Sequence, residues 1–580
     1  KLVAAAQEER FTRKKNDASF PSNAIDYCLD HEGLKVSDLD AIVFYDKPFL
    51  KLERLLETYY AYAPRGLVSF ISAIPVWLRE KLFLKQEIKK AFRKLADQPK
   101  LKLPQLLFPE HHLSHAASAF YASPFKEAAI LTIDGVGEWA TATISVGNGR
   151  EIKLLKELRF PHSVGLLYSA FTYFLGFKVN NGEYKLMGLA PYGDPDDAST
   201  KRYREQIKSE LIELKDDGSL WLNPRYFRYA TGLRMVPHKR WESLFGLKKR
   251  ALDGDITQAH CNLALAIQQV TEEVVIRMAQ EAKRLTGLPN LCMAGGVALN
   301  SVANGKLEQA GIFYQIYIQA AAGDAGGALG AALAAHHIYY KAERSPQENY
   351  MQGALLGPEF GQESIQNLIR QQKSGASYFA DFAELCHTVA QEIAQGKVVG
   401  WMQGRMEFGP RALGSRSILA DPRNVEMQSV LNLKIKYRES FRPFAPAVLA
   451  ERRADFFEGK ADSPYMLRVH PVREEIRKSV PQGDDEKNLT KKLQHQRSTL
   501  PAITHVDYSA RIQTVSEKLH PHFYALLKAF EAETDCPVLI NTSFNVRGEP
   551  IVCTPEDAWN CFQQTEMDIL VIGPYLFRKA

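Results

Sequence analysis

His111 and His115 stand four residues apart in Pro109-Glu-His-His-Leu-Ser-His-Ala-Ala-Ser-Ala-Phe120, and Asp134 follows in Ile130-Leu-Thr-Ile-Asp-Gly-Val-Gly-Glu138. On a helix, positions i and i+4 share a face, so both imidazoles can reach one ion while a carboxylate arrives from a neighbouring strand. A second acidic, glycine-rich turn, Gly323-Asp-Ala-Gly-Gly327, can bring Asp324 to the same cleft. Two imidazoles and two carboxylates converging in this way outline a metal site. The competing reading is a polar helix start beside an unrelated acidic turn.

A second chemistry is written in the rear half. Residues 397–423 and 434–446 place Arg405, Arg411, Arg416, Lys436, Arg438 and Arg442 among glycine, proline and aromatic residues rather than at helical spacing. Guanidinium forks bind phosphate and carboxylate oxygens and stay charged when partly desolvated, so this pattern predicts an anion pocket, with one or two arginines paired to Glu407 or Glu439. Strand-to-polar transitions at Thr504–Thr514, with Arg511, and at Pro537–Ile551, with Asn541, Thr542, Ser543 and Asn545, are further candidate ligand positions. In the front half, the strand Asn290–Ala294 runs into Gly295-Gly296 and a helix from near Ala298, and the Gly323 turn opens an alanine-rich helix with Gly326 and Gly327. Glycines before a helix start allow backbone amides to approach phosphate or ribose.

The elements that must position these groups follow from the patterning. Ala128–Ile133 and Ala140–Val146 predict a hairpin, Ile152–Leu158 continues it after Gly147-Asn-Gly149, and a helix over 257–286 carries Leu263, Ile267, Val270, Val274 and Met278 on one face before Gly287-Leu-Pro289. The polar stretch Lys341–Gln352 reads as a linker, and 482–492 as a mobile loop. With 580 residues, 45% hydrophobic and 24% charged, two or more folded domains are expected. The net charge of +6 suits small anionic substrates, and no nucleic-acid module is visible. Seven scattered cysteines without a Cys-x-x-Cys pair argue against a disulfide framework or a zinc ribbon and suggest a cytoplasmic setting. The opening residues do not read as a signal peptide, and the apolar run Gly66–Leu78 is too short and proline-broken for a membrane span. That run and the basic stretch Lys81–Lys94 read as amphipathic helices packed on the domain, within an insertion over 46–105.

Taken together, His111–Phe120, Asn181-Gly-Glu-Tyr-Lys-Leu-Met-Gly-Leu-Ala-Pro-Tyr-Gly193, Ala294–Asn300, the Gly323 turn, Gly404–Arg423 and Phe441-Arg-Pro-Phe-Ala-Pro446 resemble the O-carbamoyltransferases of natural-product biosynthesis, the NodU/CmcH family. The resemblance implies an α/β architecture, with an actin/Hsp70-like (ASKHA) domain over 1–345 and an α+β YrdC-like domain over 351–580. It implies that the second domain makes carbamoyl-adenylate from carbamoyl phosphate and ATP, and that the first transfers the carbamoyl group to a hydroxyl of a small-molecule acceptor.

Residue by residue, the resemblance assigns iron(II) to His111, His115, Asp134 and Asp324, and catalytic contacts to the two histidines with Glu183 and Lys185. It assigns the adenosine part to Gly295, Gly296, Asn300, Gly326 and Gly327. Phosphates go to Arg405, Arg411, Arg416, Lys436, Arg438 and Arg442, with Arg511, Asn541, Ser543 and Asn545 as lesser candidates. The acceptor pocket is expected from 46–105 and the loops over 196–250. Family members carry a His-Asp-Ser/Ala strand ahead of the segment that opens here at Lys1, so a histidine expected there has no counterpart and a missing first strand is expected. The alternatives are carbamoyl transfer to tRNA or protein, and an ATP-switched binding protein. A homodimer is compatible with all three.

Overall fold

The computed structural model describes residues 1–77, 82–252, 254–373, 375–439, 441–480 and 495–579. The chain divides into two units, one of Leu34–Tyr350 and one of Lys1–Gly33 with Met351–Ala580.

In the first unit, β1 (Ala41–Val43) and β2 (Gln105–Leu107) pair in parallel and close the base of the 46–105 insertion. The main sheet contains β3 (Glu127–Ile133), β4 (Ala140–Asn148) and β5 (Glu151–Arg159), and then, after a separate hairpin of β6 (Ile212–Leu214) and β7 (Leu220–Leu222), β8 (Asn290–Ala294) and β9 (Gln315–Ile318). Its order is β5-β4-β3-β8-β9, with β3, β8 and β9 parallel and β4 antiparallel to its neighbours. β3 is apolar and buried throughout except at Glu127, as a strand covered on both faces must be, whereas β5 at the edge alternates lysine and glutamate toward water.

The expected long helix spans Gln258–Thr286. Thr257 and His260 form a capping box at its start, and Gly287 in the left-handed conformation ends it by donating to the Lys283 carbonyl. The helix expected near Ala298 begins later, at Ser301, because the Asn300 side chain accepts from the Ala303 amide and caps it there. A short 3-10 turn, Gly296–Leu299, precedes it.

The helix His111–Phe120 packs on β3, β4 and β8 and runs closely past the helix Asp324–Ala334. That approach depends on missing side chains. A Cβ on Gly330 would lie 1.8 Å from the Ser114 carbonyl oxygen of the histidine helix; on other sides of the same helix, one on Gly326 would lie 2.1 Å from the Ala321 oxygen and one on Gly327 3.0 Å from the Tyr45 ring. The lysine-rich helix Leu84–Leu95 buries Ile88 and Phe92, as an amphipathic helix should. Its neighbour Leu67–Trp77 differs from expectation, because Leu67, Val68 and Ile71 face water.

In the second unit, a nine-stranded sheet has the order β10-β18-β17-β11-β12-β16-β13-β15-β14. Its strands are β10 (Ser377–Tyr378), β11 (Val399–Met402), β12 (Arg416–Ala420), β13 (Ala445–Leu449), β14 (Arg468–Pro471), β15 (Ser509–Val515), β16 (Val538–Ser543), β17 (Ile569–Ile572) and β18 (Tyr575–Arg578). Pairing is antiparallel apart from β11–β17 and β13–β15. Trp401, Ile418, Leu539, Leu570 and the helix residues Phe523, Leu527 and Phe530 share one core. Within Thr504–Thr514 the polar cluster precedes the strand rather than following it, since β15 starts at Ser509. The run 482–492 lies outside the described residues.

The first 33 residues group with this unit rather than with residues 34–345, where the sequence reading put them. The cause is long-range bonding of arginines to carbonyls: Arg10 to Gly409, Arg13 to Pro550 and Ile551, and Arg405 to Val3. None of the seven cysteines is in a disulfide, and among the described residues no helix is long and apolar enough to cross a membrane.

Gly330→Ala tests the glycine-lined approach of the two helices. The added methyl must push the Ser114 backbone aside, and overpacking of this kind costs about 1–3 kcal/mol. A lowered urea midpoint with unchanged slope is the expected result, and an unchanged midpoint would show that the helices separate freely.

Candidate metal centre

Four side chains of the first unit meet as the sequence reading expected: His111, His115, Asp134 and Asp324 offer ligand atoms all within 4.8 Å of one another. His111 and His115 come from successive turns of one helix, Asp134 from the end of β3, and Asp324 from the first residue of the glycine-bearing helix. The Asp134 Oδ2 lies 2.9 Å from His111 Nε2 and 3.2 Å from His115 Nε2, and those two nitrogens are 3.1 Å apart. Asp324 Oδ1 stands off at 3.8 and 3.7 Å from them.

Ligands bonded to one ion at about 2.0–2.2 Å are themselves about 3 to 4 Å apart, and the separations of 2.9 to 3.8 Å from the two imidazole nitrogens lie close to that range. The donors also fit chemically. Burial opposes protonation of His111, but its bonds to Asp134 and Asp46 outweigh it and raise the imidazole to about 10; His115 is raised as well. Burial would raise Asp134, yet the two histidines hold it well below the usual carboxylate range. A field that retains protons this strongly favours a cation at the same point. The imidazoles are buried and Asp134 nearly so, whereas the Asp324 side chain is 62% exposed. An ion here would be reached from the Asp324 side and could keep an open position, as a catalytic site requires.

Sequence reasoning missed the groups that aim these ligands. Asp46 Oδ1 lies 2.8 Å from His111 Nδ1, which directs the opposite nitrogen, Nε2, toward Asp134. Burial would raise Asp46, but His111 and the Lys51 ammonium hold it at about 2. Glu138 accepts from the His111 and Lys47 amides and so fixes the start of the histidine helix. The signal for Asp46 was present: Ala41-Ile-Val-Phe-Tyr-Asp is a strand running into an aspartate, the same pattern that drew attention to Asp134. His112 points elsewhere, to the Thr132 hydroxyl, and burial followed by repulsion from His111 and His115 lowers it to about 3.

The other residues expected in this unit have local partners. The Gly296 amide donates to Asp134 Oδ1 at 3.1 Å, and the Gly295 amide to the Ala322 carbonyl. Asn300 caps its helix and exchanges hydrogen bonds with Gln268. Glu183 accepts from Ser169 and from the Asn180 amide, and the Lys185 ammonium lies 5.9 Å from the centre of the Phe177 ring.

In the second unit the expected cations sort into two groups. Arg416 is fully buried, and its guanidinium donates to the carbonyls of Cys553, Gln403, Gly404, Ser415 and Pro358. Arg405 likewise donates to the carbonyls of Gly357, Val3 and Leu356 and to the Tyr27 hydroxyl. These two arginines differ from the phosphate-ligand expectation, because backbone oxygens occupy their donors. Arg411, Arg438 and Arg442 act electrostatically on Arg511, and Arg438 also donates to the Asn432 side chain at 2.7 Å. Burial, and then the charges of the other three, push Arg511 well below its ordinary value.

Lys436 is buried and lowered by desolvation and by Arg438 and Arg442; its ammonium donates to the carbonyls of Ser543 and Asn545 and to the Asn545 side chain. Ser543 donates to Asn545, and Asn541 donates to Gln513 and to the Ala412 carbonyl, so these polar residues are bonded to neighbouring side chains and backbone.

Comparison with known proteins places the chain in a family. A family model described as the carbamoyltransferase N-terminus matches residues 1–333, and one described as the carbamoyltransferase C-terminus matches residues 390–579. The protein sll1178 of Synechocystis sp. is 56% identical over 582 residues, covering 100% of this chain and 93% of its own. The nodulation protein NolNO of Sinorhizobium fredii is 37% identical over 100% of this chain and 77% of its own. The 3'-hydroxymethylcephem-O-carbamoyltransferase of Streptomyces clavuligerus is 28% identical over 69% of this chain and 65% of its own. The chain therefore belongs to the carbamoyltransferase family and is an enzyme of that class.

Proposed function

We propose that this carbamoyltransferase works in two stages, one on each unit, of which the first consumes ATP. The observation that carries this reading is that a single chain holds a histidine–carboxylate cluster with the geometry of a cation site and, in its other unit, four mutually repelling arginines suited to clustered phosphates. In the first stage, water releases phosphate from carbamoyl phosphate and the resulting carbamate oxygen attacks the α-phosphorus of ATP. The bond to the β-phosphate breaks, pyrophosphate leaves, and carbamoyl-adenylate remains. Arg411, Arg438, Arg442 and Arg511 neutralise the phosphates in this stage, and Lys436 with Asn541, Ser543 and Asn545 holds the wall they stand on.

In the second stage, an acceptor hydroxyl attacks the carbamoyl carbon, its proton is given up, and AMP leaves with the electron pair of the broken C–O bond. A carbamoyl group is a sluggish electrophile because nitrogen donates into its carbonyl, and the adenylate supplies the better leaving group. An iron(II), manganese or zinc ion bound by His111, His115, Asp134 and Asp324 would supply Lewis acidity at the carbonyl oxygen. Asp46 holds the His111 ring in place for that role, and Glu138 holds the helix start.

The glycines at 295, 296, 326 and 327, with Asn300, are assigned to the adenylate, and Glu183 with Lys185 to the transferring group or acceptor. An actin/Hsp70-like first unit and a YrdC-like second unit suit this division, and the β3–β4–β5 meander continued by parallel β8 and β9 supports the former. The acceptor is assigned to hydroxylated small molecules on the printed name of the cephem-carbamoylating relative.

Two measurements test the scheme. With ATP, carbamoyl phosphate and a panel of hydroxylated acceptors, His115→Ala should lower carbamoyl transfer by about 100-fold or more while pyrophosphate release stays within about twofold. Loss of both would contradict the division of labour. Asp46→Asn removes the carboxylate that aims His111, and titration of manganese or iron(II) should show affinity weaker by about 10- to 100-fold. Wild-type affinity in that variant would remove Asp46 from the site.

A further inference from the structure

The two helices that open the 46–105 insertion are tied down at both ends. At the base, the helix Pro48–Tyr62 is held to the loop after Asp134: the Lys47 amide donates to Glu138 at 2.8 Å, and the buried Arg54 guanidinium donates to the Gly137 carbonyl. The Lys51 ammonium donates to Asp46 at 2.6 Å. At the tip, the Ser69 hydroxyl donates to the Thr231 carbonyl, and a Cβ on Gly66 would lie 2.6 Å from the Thr231 Cβ. Between these points the centre of the Tyr59 ring lies 5.0 Å from that of Phe70 and 5.5 Å from that of Trp77, so the helices meet through one aromatic face.

That packing fixes what faces outward. With Ser69, Phe70 and Trp77 turned inward, Leu67, Val68 and Ile71 of the helix Leu67–Trp77 face water, and together with Tyr60 at the end of the first helix they are 59% to 87% exposed. A helix anchored at base and tip cannot roll to bury them, and clustered apolar side chains of this kind mark a surface that is covered in use. Positive charge follows directly. Leu82 and Phe83, also exposed, lead into the helix Leu84–Leu95, which holds five lysines and arginines against one glutamate, buries Ile88 and Phe92, and exposes Lys85, Lys90 and Lys94. Over residues 46–77 and 82–105 eleven lysines and arginines stand against five aspartates and glutamates, an excess of six that equals the net charge of the whole chain.

We propose that this part of the insertion docks on the surface of a bilayer containing anionic phospholipids, with Leu67, Val68 and Ile71 entering the boundary between headgroups and acyl chains and the lysines of Leu84–Leu95 facing lipid phosphates. The occupant is argued from charge and side-chain type. Aliphatic groups gain from hydrocarbon, whereas leucine and valine are under-represented among the residues that carry protein–protein affinity. The excess of positive charge complements an anionic leaflet, and apolar insertion and electrostatic attraction add to one another. The helix Leu67–Trp77 has 11 residues with Pro75 inside it, too short to span a bilayer, so it lies along the surface. This role is independent of how the two units divide the carbamoyl chemistry.

The test is co-sedimentation of the whole chain with vesicles of phosphatidylcholine containing about 30% phosphatidylglycerol, beside vesicles of phosphatidylcholine alone. Binding should be at least about tenfold tighter on the anionic vesicles and should weaken about tenfold in about 0.5 M salt. Val68→Ser combined with Ile71→Ser should weaken it about tenfold, and so should Lys90→Glu combined with Lys94→Glu. Tyr314→Ser, which removes an exposed ring outside the insertion, should match the parent. All the substituted side chains are exposed, so melting temperatures should agree across the set. Parental binding that is no tighter on anionic vesicles, or that survives either double substitution at full strength, would overturn the proposal. A parent that stays off the vesicles but self-associates through Val68 and Ile71 would assign the face to a second copy and overturn it equally.

Discussion

The Asp134 carboxylate lies against two buried imidazole nitrogens, and the first unit is organised around keeping it there. One of its oxygens serves His111 and His115, and the other accepts from the Gly296 amide, so the end of β3 is tied to the histidine helix and to the turn after β8 at once. Buried charge of one sign is costly unless the opposite sign is fixed nearby, and here each partner is itself held. Asp46 holds the far side of the His111 ring, Glu138 holds the first amide of its helix, and Gly330 lets the Asp324 helix approach to where a fourth ligand atom comes within 4 Å of the two imidazoles. Aspartates 46, 134 and 324 thus come from three separate stretches of chain.

The second unit answers the opposite problem, how to keep many guanidinium groups together. It uses two kinds of arginine. Arg405 and Arg416 are surrounded by carbonyl oxygens, which satisfy their donors without cancelling their charge and tie the loops around 357, 403 and 553 into one body. Arg411, Arg438, Arg442 and Arg511 have positive neighbours, and Arg438 also lies 4.6 Å from the centre of the Phe444 ring. The first kind builds the frame and the second is the one proposed to meet phosphates, a distinction that residue type and local sequence do not carry.

This marks what was legible. The i, i+4 histidines, the buried strand before Asp134 and the capped helix Gln258–Thr286 could be read because each depends on contacts within a few residues. Asp324 was legible as an aspartate opening a glycine-rich helix. Asp46 lies 65 residues from its partner His111, and the bonds of Arg10 and Arg13 to the rear half span 399 to 538 residues. No periodicity reports such distances. For the same reason the sequence reading placed residues 1–33 in the front unit, and Arg416, with a motif that suits phosphate, is bonded to backbone.

Assigning the two chemistries to separate units is itself a consequence of charge. In the proposed scheme Asp134 and Asp324 would serve a cation in one unit, and Arg411, Arg438, Arg442 and Arg511 would serve phosphates in the other. Were these groups in one pocket, guanidinium forks would pair with the aspartates, and both the cation and the phosphates would lose their partners. Making an activated carbamoyl group calls for a site that stabilises departing pyrophosphate, whereas transferring it calls for a site that polarises a carbonyl. The electrostatic demands are opposite in sign, and a chain that performs both steps has reason to fold two cores, each stabilising its own set of charges.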